Sequence, residues 1–198
     1  MPFKPDQREY RSFTAPLTAA DGDEDSFIVE GYATTFDDPY DFGPEGCKEC
    51  ISRSALDGAD MSDVIFQVDH QGTPLARQSN GSLSIAPDEH GLHIRADLSG
   101  CRAAREAFES IKNGLLCCMS WGFTIAQQGW SWDEQKRTST IDRIKKVFDV
   151  SAVTFPANPA TEINARSYLD GVIEAERRES AQRDRERRQR AALKLRLL

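Results

Sequence analysis

Apolar positions recur with a period of two at several places along the chain, and each predicts a β-strand with one face turned inward. Phe27 to Ala33 is a short β-rich run. Val64, Phe66 and Val68 share a face that His70 continues, and Gly72 and Pro74 are expected to end the strand. Leu92, Ile94, Ala96 and Leu98 alternate with His93, Arg95 and Asp97, which is the pattern of an antiparallel strand wet on one side. The period then becomes helical. Ala104, Ala107, Phe108 and Ile111 form one stripe between Cys101 and Asn113, with Gly114 where a C-terminal cap belongs. Strand character returns from Leu115 to Ile125, with Met119, Trp121, Phe123 and Ile125 on one face and Leu116, Cys118, Ser120, Gly122 and Thr124 on the other. A hairpin connection carrying Trp130 and Trp132 is expected over 127–137. One or two further strands lie between Ile141 and Phe155, stopped by Pro156-Ala-Asn-Pro159.

The remaining stretches lack such periods. Residues 1–26 read as a flexible N-terminal arm that closes on the acidic run Asp21-Gly-Asp-Glu-Asp25, and 37–44 is turn chemistry throughout. Beyond Ala165, Tyr168, Leu169, Val172 and Ile173 can dock one helical turn. Glu174/Arg178, Glu179/Arg183, Asp184/Arg188 and Glu186/Arg190 then place acid four residues before base, so this polar stretch favours a solvated or partner-bridging helix. The predicted organisation is an arm over 1–26, one domain over 27–166 and a charged helical C-terminal tail over 167–198. The predicted fold class is α+β, a mostly antiparallel sheet with a few packed helices.

Composition narrows the function classes. The chain has 198 residues, enough for one core, and three Trp, four Tyr and ten Phe exclude a wholly disordered chain. No apolar run approaches the ~20 residues that span a bilayer, and the charged start is no signal peptide, so a soluble cytosolic protein is expected. The formal net charge of -7 excludes a nucleic-acid coat. Acidic residues interleaved in the basic tail argue against a phosphate-binding stripe there. Five cysteines without a secretion signal are expected to be free thiols. Cys47-x-x-Cys50 lacks a second well-spaced pair, and adjacent Cys117 and Cys118 point to opposite strand faces, so zinc is disfavoured.

Three groups could carry chemistry. His70 ends an apolar alternation at a loop, whereas His90 lies in a turn and His93 on a polar strand face. Ser120 sits on a small-residue face in Cys117-Cys-Met-Ser-Trp-Gly-Phe123, where Gly122 leaves room for a substrate carbonyl. Cys118 shares that face, with nothing nearby to activate it. Asp149 stands mid-strand among Val147, Phe148 and Val150, so it lies either on a wet face or in a post orienting something such as a histidine. From the residues alone, a core or turn histidine and a strand serine account for the first two as simply, and the choice for Asp149 stays open.

The order of segments resembles the prohead maturation proteases of tailed bacteriophages, a family related to the herpesvirus assemblin proteases. The likeness is carried by Gly31-Tyr-Ala-Thr-Thr-Phe36, Glu49-Cys-Ile-Ser-Arg-Ser-Ala-Leu56, and Val64 to His70 followed by Pro74-Leu75. It continues through Gly91-Leu-His-Ile, Ile111-Lys-Asn-Gly-Leu115, Ser120-Trp-Gly-Phe123 and the run from Val147 to Pro159. The resemblance implies a barrel-like sheet and a serine endopeptidase with His70 as general base, Ser120 as nucleophile and Asp149 as third member. This chain departs from the family pattern at Asp69, where Asn is usual before the histidine, and at Asp149, where Glu is usual. Backbone N–H groups near Trp121 and Gly122, or Arg143, are the expected oxyanion donors. No metal or organic cofactor is implied.

The resemblance also implies work inside the procapsid in the host cytoplasm. The substrates would be the scaffold or the scaffolding segment of the major capsid protein, and the protease itself. A homodimer is implied only by the herpesvirus relatives; no membrane and no nucleic-acid partner is expected. A catalytically silent member of the same fold, serving as a scaffold-interaction protein, is the competing reading.

Overall fold

The computed structural model describes residues 7–13, 17–19, 26–43 and 46–154, together with positions 178, 182, 183 and 185. The first elements along the described chain are β1 (Arg8–Phe13), β2 (Thr18–Ala19), β3 (Ile28–Thr35), β4 (Tyr40–Asp41), β5 (Lys48–Ile51), β6 (Ile65–Val68) and β7 (Gln71–Arg77). They are followed by β8 (Leu83–Pro87), β9 (Gly91–Asp97), α1 (Arg102–Lys112), β10 (Cys118–Ile125), β11 (Trp130–Asp133), β12 (Thr138–Ile141) and β13 (Ile144–Val153). Single 3-10 turns occupy Arg53–Leu56 and Gln78–Asn80.

The strands form three sheets, with orders β1-β10-β13-β6-β7, β11-β12-β5-β4 and β2-β3-β9-β8. Pairing is antiparallel except between β13 and β6 and between β12 and β5. One core joins them, and Phe66, Leu92, Ile94, Leu98, Met119, Trp121 and Phe123 are fully buried in it. The alternation in β9 works as its sequence predicts, with Leu92, Ile94, Ala96 and Leu98 all inward. Helix α1 buries the expected stripe of Ala104, Ala107, Phe108 and Ile111, and Phe108 meets Phe27 edge-on at 5.3 Å. Gly114, at φ 72, ends it by donating to the Ile111 carbonyl, a left-handed cap that favours glycine.

The α+β, mostly antiparallel expectation holds, but the barrel does not form. Closure requires a hydrogen-bonded neighbour on both sides of every strand. Here the sheets end at β1 and β7, at β11 and β4, and at β2 and β8. Two of these edges are two-residue strands, and β7 carries Pro74, which has no N–H to offer a further strand. Where a few helices were expected, α1 is the one helix described over its whole length, and the described positions 178, 182, 183 and 185 are helical too. The charged tail lies outside the described residues apart from exposed positions 178, 182, 183 and 185.

Two local differences matter for the site. Residues 8–13, inside the arm expected to be flexible, form β1 and complete the first sheet. Their alternation is polar on both faces, so hydrophobic periodicity carries no trace of it. The chain also turns at Asp69-His70 rather than at Gly72 and Pro74, because Val68 pairs with Gln71 across a two-residue hairpin.

Gly91 opens β9 where β3 shifts register, and a Cβ there would stand 2.0 Å from the Thr34 carbonyl oxygen. Gly91→Ala is therefore expected to lower stability by about 3 kcal/mol. Gly100→Ala, with nothing within 4 Å, should stay within about 0.5 kcal/mol. Urea-unfolding midpoints of the two variants check the contrast.

Candidate active site

Strand β10 is buried along its whole length between β1 and β13, and Ser120, its third residue, has no solvent exposure. In register with it are Ser12 on β1 and Ser151 on β13, so three serines stand side by side across the sheet. Ser12 Oγ donates to Ser120 Oγ at 3.0 Å. The Ser120 hydroxyl has two acceptors within reach, the Arg11 carbonyl at 3.0 Å and His70 Nε2 at 2.6 Å.

His70 reaches Ser120 from the β6–β7 hairpin. A two-residue hairpin matches the strand twist only when both central residues take positive φ, which usually selects Asn or Asp followed by Gly. Asp69, at φ 48, suits the first position. His70, at φ 56, stands where glycine is preferred. A side chain kept there against its backbone preference is held by the surrounding contacts. Those contacts are Ser120 at Nε2, Asp149 and the Ser151 hydroxyl at Nδ1, and the Tyr10 ring at 4.4 Å between centroids.

Asp149 is fully buried in β13, so the wet-face explanation fails. Its Oδ2 meets His70 Nδ1 and accepts from Ser151 Oγ at 3.2 Å, and its Oδ1 pairs with the Arg8 guanidinium. A carboxylate on one side of the imidazole fixes the proton on Nδ1 and leaves the Nε2 lone pair facing Ser120. Phe148 is an extra residue in β13, because Phe123 pairs with Val147 while Gly122 pairs with Asp149. This bulge turns Asp149 towards the histidine, as bulges re-aim neighbouring side chains. The shorter Asp therefore reaches the imidazole here despite the missing methylene.

Gly122 has a different use from the one its sequence context indicates. A Cβ at that position would lie 2.5 Å from Asp149 Oδ1, 2.9 Å from Tyr10 Cε1 and 3.0 Å from Arg8 Nε. The space expected to receive a substrate carbonyl is filled by these groups. Arg143 is exposed near the far end of β10, where Ile125 pairs with Ile144, about 17 Å along the strand from Ser120. That separation removes it as an oxyanion donor.

His90 and His93 pack on Tyr32 at 4.6 and 5.2 Å, in the third sheet. Burial and the Cys117 thiol push the Cys118 thiol up to about 11, so it is protonated at neutral pH and is no rival nucleophile. All five cysteines are free, and no group of His, Cys, Asp and Glu among the described residues is arranged to hold a metal. Sequence reasoning missed Arg8, Tyr10, Ser12 and Ser151 as site residues. Ser151 had a signal, since it stands two residues after Asp149 on the same strand face.

The model of the caudovirus prohead serine proteases matches residues 14–172. The chain belongs to that family. It is 27% identical over 156 residues to the prohead protease of Enterobacteria phage HK97, a match covering 76% of this chain. The chain spans 65% of that phage protease's length. No solved structure matches at a significant level.

An alanine at position 122 would push the Asp149 carboxylate off His70. Misplacement by about 1 Å costs on the order of 100-fold in rate. Gly122→Ala should therefore label with a fluorophosphonate at Ser120 about 100-fold more slowly than the parent. Its circular dichroism spectrum should be unchanged.

Proposed function

We propose that this chain is a serine endopeptidase of phage capsid maturation. The reading rests on one observation, a single imidazole that meets Ser120 Oγ at 2.6 Å through Nε2 and the buried Asp149 carboxylate through Nδ1. Ser120 is the nucleophile, His70 the general base and then the general acid, and Asp149 the group that fixes the tautomer and balances the transient imidazolium. The order His, Ser, Asp along the chain differs from His, Asp, Ser in chymotrypsin, Asp, His, Ser in subtilisin and Ser, Asp, His in the α/β-hydrolases, and the same chemistry runs in all of those orders.

Family membership supports substrates among the proteins of the prohead, namely the scaffold or the scaffolding segment of the major capsid protein, and the protease itself. It also supports a place of action inside the procapsid in the infected cell. The competing reading, a silent scaffold-interaction member, keeps the fold and abandons the chemistry.

Mass spectrometry of an unfolded mixed-sequence protein incubated with the purified chain separates the two. Ser120→Ala and His70→Ala should each lower kcat by about 10⁶-fold, with the double variant no slower than either. Asp149→Asn should lower it by about 10⁴-fold, because the amide no longer imposes the tautomer. Product that forms equally with Ser120→Ala would overturn the catalytic assignment.

A further inference from the structure

Strand β1 covers the candidate nucleophile, and its placement is that of a substrate. It is an extended segment added antiparallel to the β10 edge, the usual way a sheet edge takes a peptide. The Arg11 carbonyl accepts from Ser120 Oγ at 3.0 Å, and the next residue's hydroxyl, Ser12 Oγ, touches the same oxygen at 3.0 Å. The residue before, Tyr10, lies over the His70 ring at 4.4 Å. The family match begins at residue 14, immediately after this strand.

The Arg11 side chain leaves the opposite face of the sheet and enters a closed acidic pocket, where it is 1% exposed. Glu49 of β5 grips it with both oxygens, Nε to Oε1 at 2.5 Å and Nη2 to Oε2 at 3.0 Å. Glu9 Oε2 stands 3.4 Å from Nη1, Phe42 lies under the guanidinium at 4.3 Å and Phe123 at 5.7 Å. Tyr40 donates its hydroxyl to Glu49 Oε1 and fixes that carboxylate. Two parallel N–H···O bonds to a buried carboxylate match a planar guanidinium and fit an ammonium less well. A neutral side chain in this place would leave Glu49 buried without its cation, which is strongly unfavourable.

We propose that Glu49 is the specificity-determining residue of a pocket that selects arginine as the donor of the scissile carbonyl, and that Arg11–Ser12 is the chain's own bond of this kind. This rests on the protease reading above. In the step, Ser120 Oγ bonds to the Arg11 carbonyl carbon as its proton passes to His70 Nε2. The Arg11 C–N bond to Ser12 then breaks, and His70 returns the proton to the Ser12 nitrogen. Water, deprotonated by His70, cleaves the resulting ester, giving a carboxylate on Arg11 and restoring the Ser120 hydroxyl.

The test uses the full chain, its Glu49→Gln and Ser120→Ala variants, and hexapeptides of sequence Arg-Glu-Tyr-X-Ser-Phe with X as arginine, lysine, citrulline or alanine. The wild type should cleave the arginine peptide at X–Ser with kcat/KM about 100-fold or more above citrulline, which has the same shape without the charge. In Glu49→Gln the arginine-to-citrulline ratio should collapse to within about 5-fold, a comparison that a general loss of folded protein leaves unmoved. Wild type held at high concentration should gain a Ser120-dependent N-terminus at Ser12, absent from Ser120→Ala. Ser120-dependent cleavage of an unfolded mixed-sequence protein without preference for arginine would overturn the pocket and leave the protease reading standing. So would an unchanged ratio in Glu49→Gln. If no substrate is cleaved in a Ser120-dependent way, both readings fall together.

Discussion

A carboxylate without solvent must be given partners, and the site is organised around that requirement at Asp149. Its two oxygens gather the His70 imidazole from the β6–β7 hairpin, the Arg8 guanidinium from β1 and the Ser151 hydroxyl from its own strand. Each of those groups then has its own position fixed. Gly122 is bare because the carboxylate lies against it, and the bulge at Phe148 exists where the strand must turn the side chain. A buried charge is costly when unpaired, so the geometry that orients the histidine is the same geometry that lets the fold tolerate the aspartate.

The sheet order explains how the parts meet. β13 is the central strand, flanked by β10 and β6, and the turn leaving β6 delivers His70 back over β13 and β10. Ser120 and Asp149 thus sit on rigid, fully flanked strands, while the histidine sits on a strained turn held from three sides. Rigid placement of a serine and a carboxylate around a tightly packed imidazole is the arrangement that catalysis by positioning needs.

The sequence made the helix and β9 legible, because a helical stripe and a strict alternation both report burial directly. It made His70, Ser120 and Asp149 visible only as ambiguous residues, and the resemblance to the phage proteases chose among their readings. What stayed hidden was polar. β1 alternates Arg8, Tyr10 and Ser12 with Glu9, Arg11 and Phe13, so neither face looks like core, yet Glu9 and Arg11 are buried. Glu49 is equally buried in a short strand next to turn-rich sequence. Ion pairing across sheets, unlike apolar burial, leaves no period along one strand. The barrel expectation failed for a related reason, since edge closure depends on partners distant in sequence.

The parallel pairing of β6 with β13 has a consequence in time. His70 and Asp149 are 79 residues apart, and their strands cannot register until the ribosome has released the chain beyond β13. Contacts this distant in sequence form late, after loop closure has been overcome. A nascent or truncated chain that has already made Ser120 therefore lacks the oriented imidazole. The long-range pairing keeps the Ser120–His70–Asp149 cluster unassembled while the polypeptide is still being synthesised.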